Sequence, residues 1–220
     1  MKNLISALSF FVFLSSFSLG YSQAVVSPIK MNVVYRALAN PLRIAVSGWD
    51  NKDLIVTVSA GHKLTREEND VFMLIPSISL SNRRAIITVT GEMPDGSIAN
   101  LGTEEFRIMS IPLPNPLWAG KRPFDRTISK KDVLFFAPLG ASMQDDFNFN
   151  ILVRVKSFTL LLVTNGTLLE LTSNSNRLTS DMKTALARVV RGNTITFDDI
   201  IVKMPDGDTT IQPLVFKVTN

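Results

Sequence analysis

The chain is expected to be mostly β: two tandem β-sandwich (Ig-like) domains, the second with one packed α-helix and a short helical turn. Three observations predict this. Met93-Pro94-Asp95-Gly96 recurs as Met204-Pro205-Asp206-Gly207. Each copy is followed by Phe-basic-Ile/Val, as Phe106-Arg107-Ile108 and as Phe216-Lys217-Val218. Between them lie short alternating apolar runs bounded by Gly, Asn, Asp and Pro, the pattern of antiparallel sandwiches. Proline presets φ, aspartate bonds its own backbone and glycine accepts the left-handed region, so each Pro-Asp-Gly reads as a hairpin turn.

The first module spans residues 23–110. A strand starts at Met31 to Tyr35, and Leu42 to Val46 alternates before Ser47-Gly48 turns the chain. Leu54 to Ser59 puts Leu54, Val56 and Val58 on one face. Asp70 to Ile75, Ala85 to Thr90 and Ala99 to Ile108 follow as strands. The polar stretch Leu64 to Asn69 reads as a helical turn or loop. Residues 111–116 form a proline-rich linker, Ile111-Pro112-Leu113-Pro114-Asn115-Pro116, expected to run extended and stiff between the modules.

The second module spans 117–220. Ser129 can cap a short helix through Lys130 to Phe135, stopped by Pro138. Phe147 to Val155 is the cleanest alternation, with Phe147, Phe149, Ile151, Val153 and Val155 on one side. Leu160 to Val163 and Leu168 to Leu171 flank Asn165-Gly166, a strong hairpin signal that explains the Asn165-Gly166-Thr167 sequon. One longer helix begins at a Thr179 or Ser180 cap, places Asp181 on its positive end and stops at Gly192. Its apolar stripe predicts packing on a sheet. Thr194 to Val202 and Leu214 to Val218 bracket the second Pro-Asp-Gly turn.

The amino terminus reads as a targeting segment, residues 1–22. Lys2 is the basic n-region and Leu4 to Leu19 an apolar stretch diluted by serines. Gly20-Tyr21-Ser22 offers cleavage between Ser22 and Gln23. Leu4 to Leu19 falls short of the roughly 20 residues a spanning helix needs. No later segment is long and apolar enough, so no membrane anchor is expected after cleavage. The expected location is periplasmic.

Composition narrows the function. There is no cysteine, so an exported fold must be held by packing rather than disulfides. The net charge of +4 is dispersed, and Arg83-Arg84, Lys121-Arg122 and Lys130-Lys131 are isolated pairs, which argues against nucleic acid.

No enzyme is expected, and no catalytic, cofactor or metal residues are assigned. His62 is the only histidine and no Gly-x-Ser-x-Gly elbow occurs. The carboxylate pairs Glu67-Glu68, Glu104-Glu105, Asp145-Asp146 and Asp198-Asp199 would point to opposite faces of a strand, a poor catalytic dyad. The turn residues Pro94, Asp95, Gly96, Pro205, Asp206 and Gly207, and Trp118 beside the linker, are the interaction candidates. Trp118 is expected at the surface. Leu160 to Val163 is apolar on both faces of its strand, so both faces are expected to be covered, by intrachain packing in preference to a partner.

The second module resembles the C-terminal domain of GldM, also called PorM, the inner-membrane rod of the type IX secretion and gliding machinery of Bacteroidetes. The matching residues are Pro114-Asn115-Pro116, Ile128-Ser129-Lys130, Asp146 to Asn150, Val155 to Thr159, Leu178 to Asp181, Arg191-Gly192, Phe197 to Ile200, Pro205-Asp206-Gly207 and Phe216-Lys217-Val218. The first module resembles the preceding GldM domain through Val26 to Arg36 and Asn40-Pro41-Leu42-Arg43-Ile44. The resemblance implies a non-enzymatic periplasmic binding module, with secretion-ring components at the outer membrane as envelope partners and a homodimer as its self-association. Family members carry a membrane helix and a helical rod, which this sequence is expected to lack. The alternative expectation is an exported adhesin-like or carbohydrate-binding sandwich.

Overall fold

A computed structural model describes residues 31–220 apart from Leu80 and Asn165. The targeting segment, with Ser22 and Gln23, lies outside the described residues. Residues 33–220 form one compact unit built from two sandwich-like modules.

In the first module, β1 (Val33–Tyr35), β3 (Leu54–Val58), β6 (Arg84–Glu92) and β7 (Ile98–Met109) form one sheet in the order β1-β7-β6-β3. The facing sheet is β2 (Asn40–Arg43), β5 (Val71–Ile75) and β4 (Lys63–Arg66), ordered β2-β5-β4. Period-2 side chains from both sheets meet in a small core of Val34, Leu74, Ala85, Ile87 and Ile108. Leu64 to Asn69 is not a helical turn or loop throughout: Lys63–Arg66 is a strand paired with β5, followed by a 3-10 turn at Glu68–Asp70. Charged side chains protect an edge strand, so its polar composition hid it. Behind it, Asp70 takes a left-handed φ of 59° and accepts hydrogen bonds from Arg66 at 2.7 Å and Asn51 at 3.1 Å.

In the second module, β11 (Arg154–Thr164), β12 (Thr167–Ser173), β13 (Thr194–Met204), β15 (Leu214–Thr219) and β9 (Thr127–Ser129) form a sheet ordered β12-β11-β13-β15-β9. β14 (Gly207–Ile211) pairs with β13 as well. A small ribbon joins β8 (Asn115–Leu117) to β10 (Gly140–Ser142). The proline-rich stretch therefore does not run free: Asn115 and Pro116 lie in β8, and Ile111 is buried in the larger core.

Two helices cover this sheet. α1 (Lys130–Val133) is capped by Ser129, whose hydroxyl accepts from the Asp132 N–H at 3.1 Å. α2 (Ser180–Ala187) is capped by Thr179 and buries Met182 and Leu186. It ends well before Gly192. The Lys130 ammonium donates to the carbonyls of Ala187, at 2.7 Å, and Val189, satisfying the last turn as a C-terminal cation does.

Phe147 to Val153 shows the predicted alternation of burial but forms no ladder. An alternating pattern reports which side of an extended chain is covered, not whether its edges are hydrogen-bonded. The inward side chains pack against the larger core, and β11 begins only at Arg154.

The repeated motifs mark one closing device used twice. After the first turn, β7 returns along β6 and its end, Arg107 to Met109, pairs in parallel with Val33 to Tyr35. After the second turn the return path is split into β14 and β15, both along β13, with Pro213 between them. Proline has no N–H to give the ladder. The end of β15, Lys217 to Thr219, pairs in parallel with Thr127 to Ser129. Each Phe-basic-Ile/Val run is thus where an early strand of its module is clamped, with Val34 beside Ile108 and Ile128 beside Val218.

Gly91, opposite Leu54, lies under the Trp49 ring: a Cβ there would sit 2.4 Å from it. Gly91→Ala is expected to displace the indole and destabilise the chain by about 1–3 kcal/mol. The loss should be non-additive with Trp49→Ala in denaturant melts, because the two sites are in contact.

Candidate functional site

Titratable residues singled out from the sequence, His62, Glu105 and Asp145 among them, are engaged locally in the described structure. No group of three or more His, Cys, Asp or Glu is placed to hold a metal among them. His62 is tied into local structure, accepting from the Ser77 N–H at 3.3 Å and lying 3.2 Å from the Arg84 carbonyl. That pattern makes Nε2 the protonated nitrogen, which donates to the carbonyl. Among the carboxylate pairs, Glu105 binds Arg84 at 2.7 Å and Asp145 binds Arg122 at 3.4 Å. Asp199, at a φ of 46°, donates its N–H to the Asp198 carboxylate.

Trp118 is not a surface aromatic. Its exposure is 0%, its indole N–H donates to the Ala137 carbonyl at 2.8 Å, and its ring meets Phe197 edge-on at 4.7 Å. The neighbouring Pro116 and Gly120 suggested a loop tip, but the chain folds back in a Trp118 to Lys121 bridge that turns the indole inward.

The two Pro-Asp-Gly turns share residues and differ in geometry. In the first, the Met93 N–H donates to the Ser97 carbonyl and Gly96 takes a φ of 81°, enclosing a three-residue loop. Asp95 accepts from the Ser97 hydroxyl at 2.6 Å and its N–H at 3.0 Å, and these bonds hold its carboxyl below the ordinary carboxylate range. In the second, Met204 pairs directly with Gly207, so only Pro205 and Asp206 form the turn. Asp206 faces the other module instead of its own backbone. It accepts from Arg36 Nε at 2.9 Å and its side chain is only 11% exposed.

That ion pair belongs to the contact between modules. The loop from Tyr35 to Asn40 leaves the first module and packs on the second. Leu38 is buried in the larger core, and Tyr35 meets Phe147 and Phe149 edge-on at 5.2 and 5.4 Å. The loop is held by Asn40, whose side chain is buried. Its oxygen accepts from the Tyr35 N–H at 2.8 Å, and its amide hydrogens are shared among the carbonyls of Leu38, Tyr35 and Leu74 at 2.8, 2.9 and 3.1 Å. Ala37 takes a φ of 60° and donates to the Pro76 carbonyl.

The outer face of the second module is open. Leu160 and Leu162 are buried, but Val163 is 54% exposed and its cross-strand neighbour Leu168 is 58% exposed. The expectation that intrachain packing covers both faces of this strand is therefore corrected. The helix covers the inner face, and among the described residues no element lies over Val163 and Leu168.

Beside this face, strand β12 ends the sheet order and runs next to α2. A groove of about 650 Å³ lies between them, with Leu169 and Leu171 on the strand side and Asp181, Ala185 and Arg188 on the helix side. This groove was not visible in the sequence, although Leu168-Leu169 outside the Leu160 to Val163 run was a signal of surplus apolar surface.

The described residues form a two-module, mostly β protein. Residues 23–109 match the GldM third domain and residues 112–219 the GldM C-terminal domain. The chain belongs to the GldM family, whose domains are components of the gliding and type IX secretion machinery. No curated protein matches the sequence. Among solved structures it is similar to the Bacteroides ovatus mixed-linkage glucan utilization locus protein SGBP-B, in complex with a mixed-linkage heptasaccharide. The identity is 10% and the TM-score 0.25, over 91% of this chain and 47% of that one, so the chain spans about half of that structure's length.

Asn40→Ala leaves buried backbone groups without their partner and is expected to cost about 3 kcal/mol, each such group contributing about 1–3 kcal/mol. Chemical denaturation reads the loss. A double-mutant cycle with Arg36→Ala and Asp206→Ala should give a coupling above the ~1 kcal/mol ceiling of exposed pairs, because Asp206 is largely covered.

Proposed function

We propose that this chain is a non-enzymatic, periplasmic, protein-binding component of the type IX secretion or gliding apparatus. It is exported by the segment at 1–22, and its domains are 23–110 and 117–220, joined through 111–116. Its partners are envelope proteins, and secretion-ring components at the outer membrane are the ones the family points to. The reading is carried by the two GldM domains following one another over 23–219. The contact between modules supports it. A protein that holds a partner under load needs its modules fixed, and Tyr35, Arg36 and Leu38 fix them. A mechanism by docking also suits a molecule whose turns, edges and sheet faces are its accessible features.

Affinity purification of the tagged chain from envelope extracts is expected to recover secretion-ring proteins, and deletion of the gene to reduce secretion or gliding. Amino-terminal sequencing of the exported form should begin at Gln23. Recovery of no ring component together with normal secretion would remove the proposal.

A further inference from the structure

The groove between β12 and α2 combines three features that together define a ligand. First, β12 is an edge strand: β11 pairs with one side of it, and its other side has no backbone partner among the described residues. Edge strands in native proteins are usually blunted by charged side chains, above all lysine, by proline or by a bulge. Thr167 to Ser173 reads Thr-Leu-Leu-Glu-Leu-Thr-Ser, with neither proline nor lysine and Glu170 as its single charge. Second, the open edge faces a trough rather than bulk solvent. Leu169 and Leu171 point to the same side as buried Leu162 and Leu160, their partners across the ladder. Half-buried Ala185 stands on the opposite wall. An extended segment laid along β12 would hydrogen-bond to the edge and drop alternate side chains into this trough.

The third feature is charge. On the helix wall, Asp181 stands near one end and Arg188 near the other, and neither has an ion-pair partner among the described residues. On the strand, Glu170 sits in the middle, exposed and without an ion-pair partner among the described residues, on the face away from the trough. Leu169 is level with Ile195 through Leu162, and Leu171 with Phe197 through Leu160. Leu169 therefore marks the Arg188 end of the trough, just before Thr194, and Leu171 the Asp181 end.

We infer that β12 and α2 form a receptor groove for an extended apolar-basic-apolar segment of a partner protein, which adds antiparallel to β12. Its two apolar side chains enter the trough beside Leu169 and Leu171. The basic residue between them lies opposite Glu170. An acidic group follows at the Arg188 end. A second copy of this chain is a poor occupant. Antiparallel self-pairing of Thr167 to Ser173 about its centre sets Glu170 against its own copy, and like charges directly opposite are destabilising. This inference rests on the protein-binding reading above and names the surface and the partner chemistry.

The test is a nuclear magnetic resonance titration of the full chain with a blocked heptapeptide: lysine, threonine, valine, lysine, valine, threonine, aspartate. The control peptide has every charge reversed. The first peptide is expected to shift amide signals of 167–173 and 181–193, and the control to bind about tenfold or more weakly. Arg188→Glu, on an exposed position, should weaken the first peptide by about tenfold and leave the rest of the spectrum in place. Ala185→Trp should block it by filling the trough. Equal binding of both peptides, shifts elsewhere, indifference to Arg188→Glu, or no binding up to about 1 mM would overturn the assignment. A peptide-free dimer in sedimentation that Arg188→Glu dissolves would overturn it in favour of a second copy. If the Ala185→Trp chain still recovers ring components, the groove fails and the secretion reading stands. If the peptide binds as expected while no ring component is recovered, the groove stands and the secretion reading fails.

Discussion

The buried Asn40 amide is the constraint on which the assembly of this molecule rests. The core cluster of the first module has five buried residues, while the larger core includes Trp118, residues of five strands and both helices. A core that small is a weak basis for an independent domain. The first module gains support by extending Tyr35, Arg36 and Leu38 onto the second. A loop that leaves its own sheet loses backbone partners, and Asn40 replaces them from inside: one side chain serves the Tyr35 N–H and three carbonyls. Apolar burial alone would not specify that path, because the hydrophobic effect is non-directional. The amide supplies the direction.

The two modules share a closing device and diverge where each needs to. A hairpin turn sends a strand back along its neighbour, and the far end of the return path clamps an early strand in parallel. In the first module the return is unbroken, and its turn is self-contained through Asp95 and Ser97. In the second, Pro213 breaks the return path and Asp206 is committed to Arg36. The same three residues therefore serve as a free hairpin tip in one copy and as part of the contact between modules in the other. Docking candidates drawn from the motif alone would treat the copies as equals; their surroundings do not.

With the modules braced against each other, the second module keeps exposed apolar surface that neither helix covers. Leu160 and Leu162 satisfy the inner face of their strand, and Val163 with Leu168 remains in the open. The β12 edge and the trough beside α2 adjoin that face. Helix α2 both buries the core through Met182 and Leu186 and forms a wall of the trough through Ala185 and Arg188. Lys130, reaching from α1 to the last carbonyls of α2, holds that wall where it stands.

Local chemistry determined much of this from the sequence: the mostly β class, the positions of most longer strands, both hairpin turns, the Ser129 cap and a cap at Thr179 or Ser180. These follow from period, turn residues and caps, which act over a few neighbours. Short strands such as β8, β9, β10 and β14 escaped, because three to five residues carry little periodicity and their pairing comes from distant partners. Phe147 to Val153 looked like a sheet strand and is an unpaired extended stretch, since alternation encodes cover on one side and says nothing of what lies at the edges. Trp118 looked exposed for a similar reason: its burial depends on Ala137 and Phe197, far along the chain. Only the tertiary structure decided that the modules touch, that Asp206 faces Arg36 and that β12 ends the sheet beside a trough. Each of those is a juxtaposition of residues remote in sequence, and no local pattern contains it.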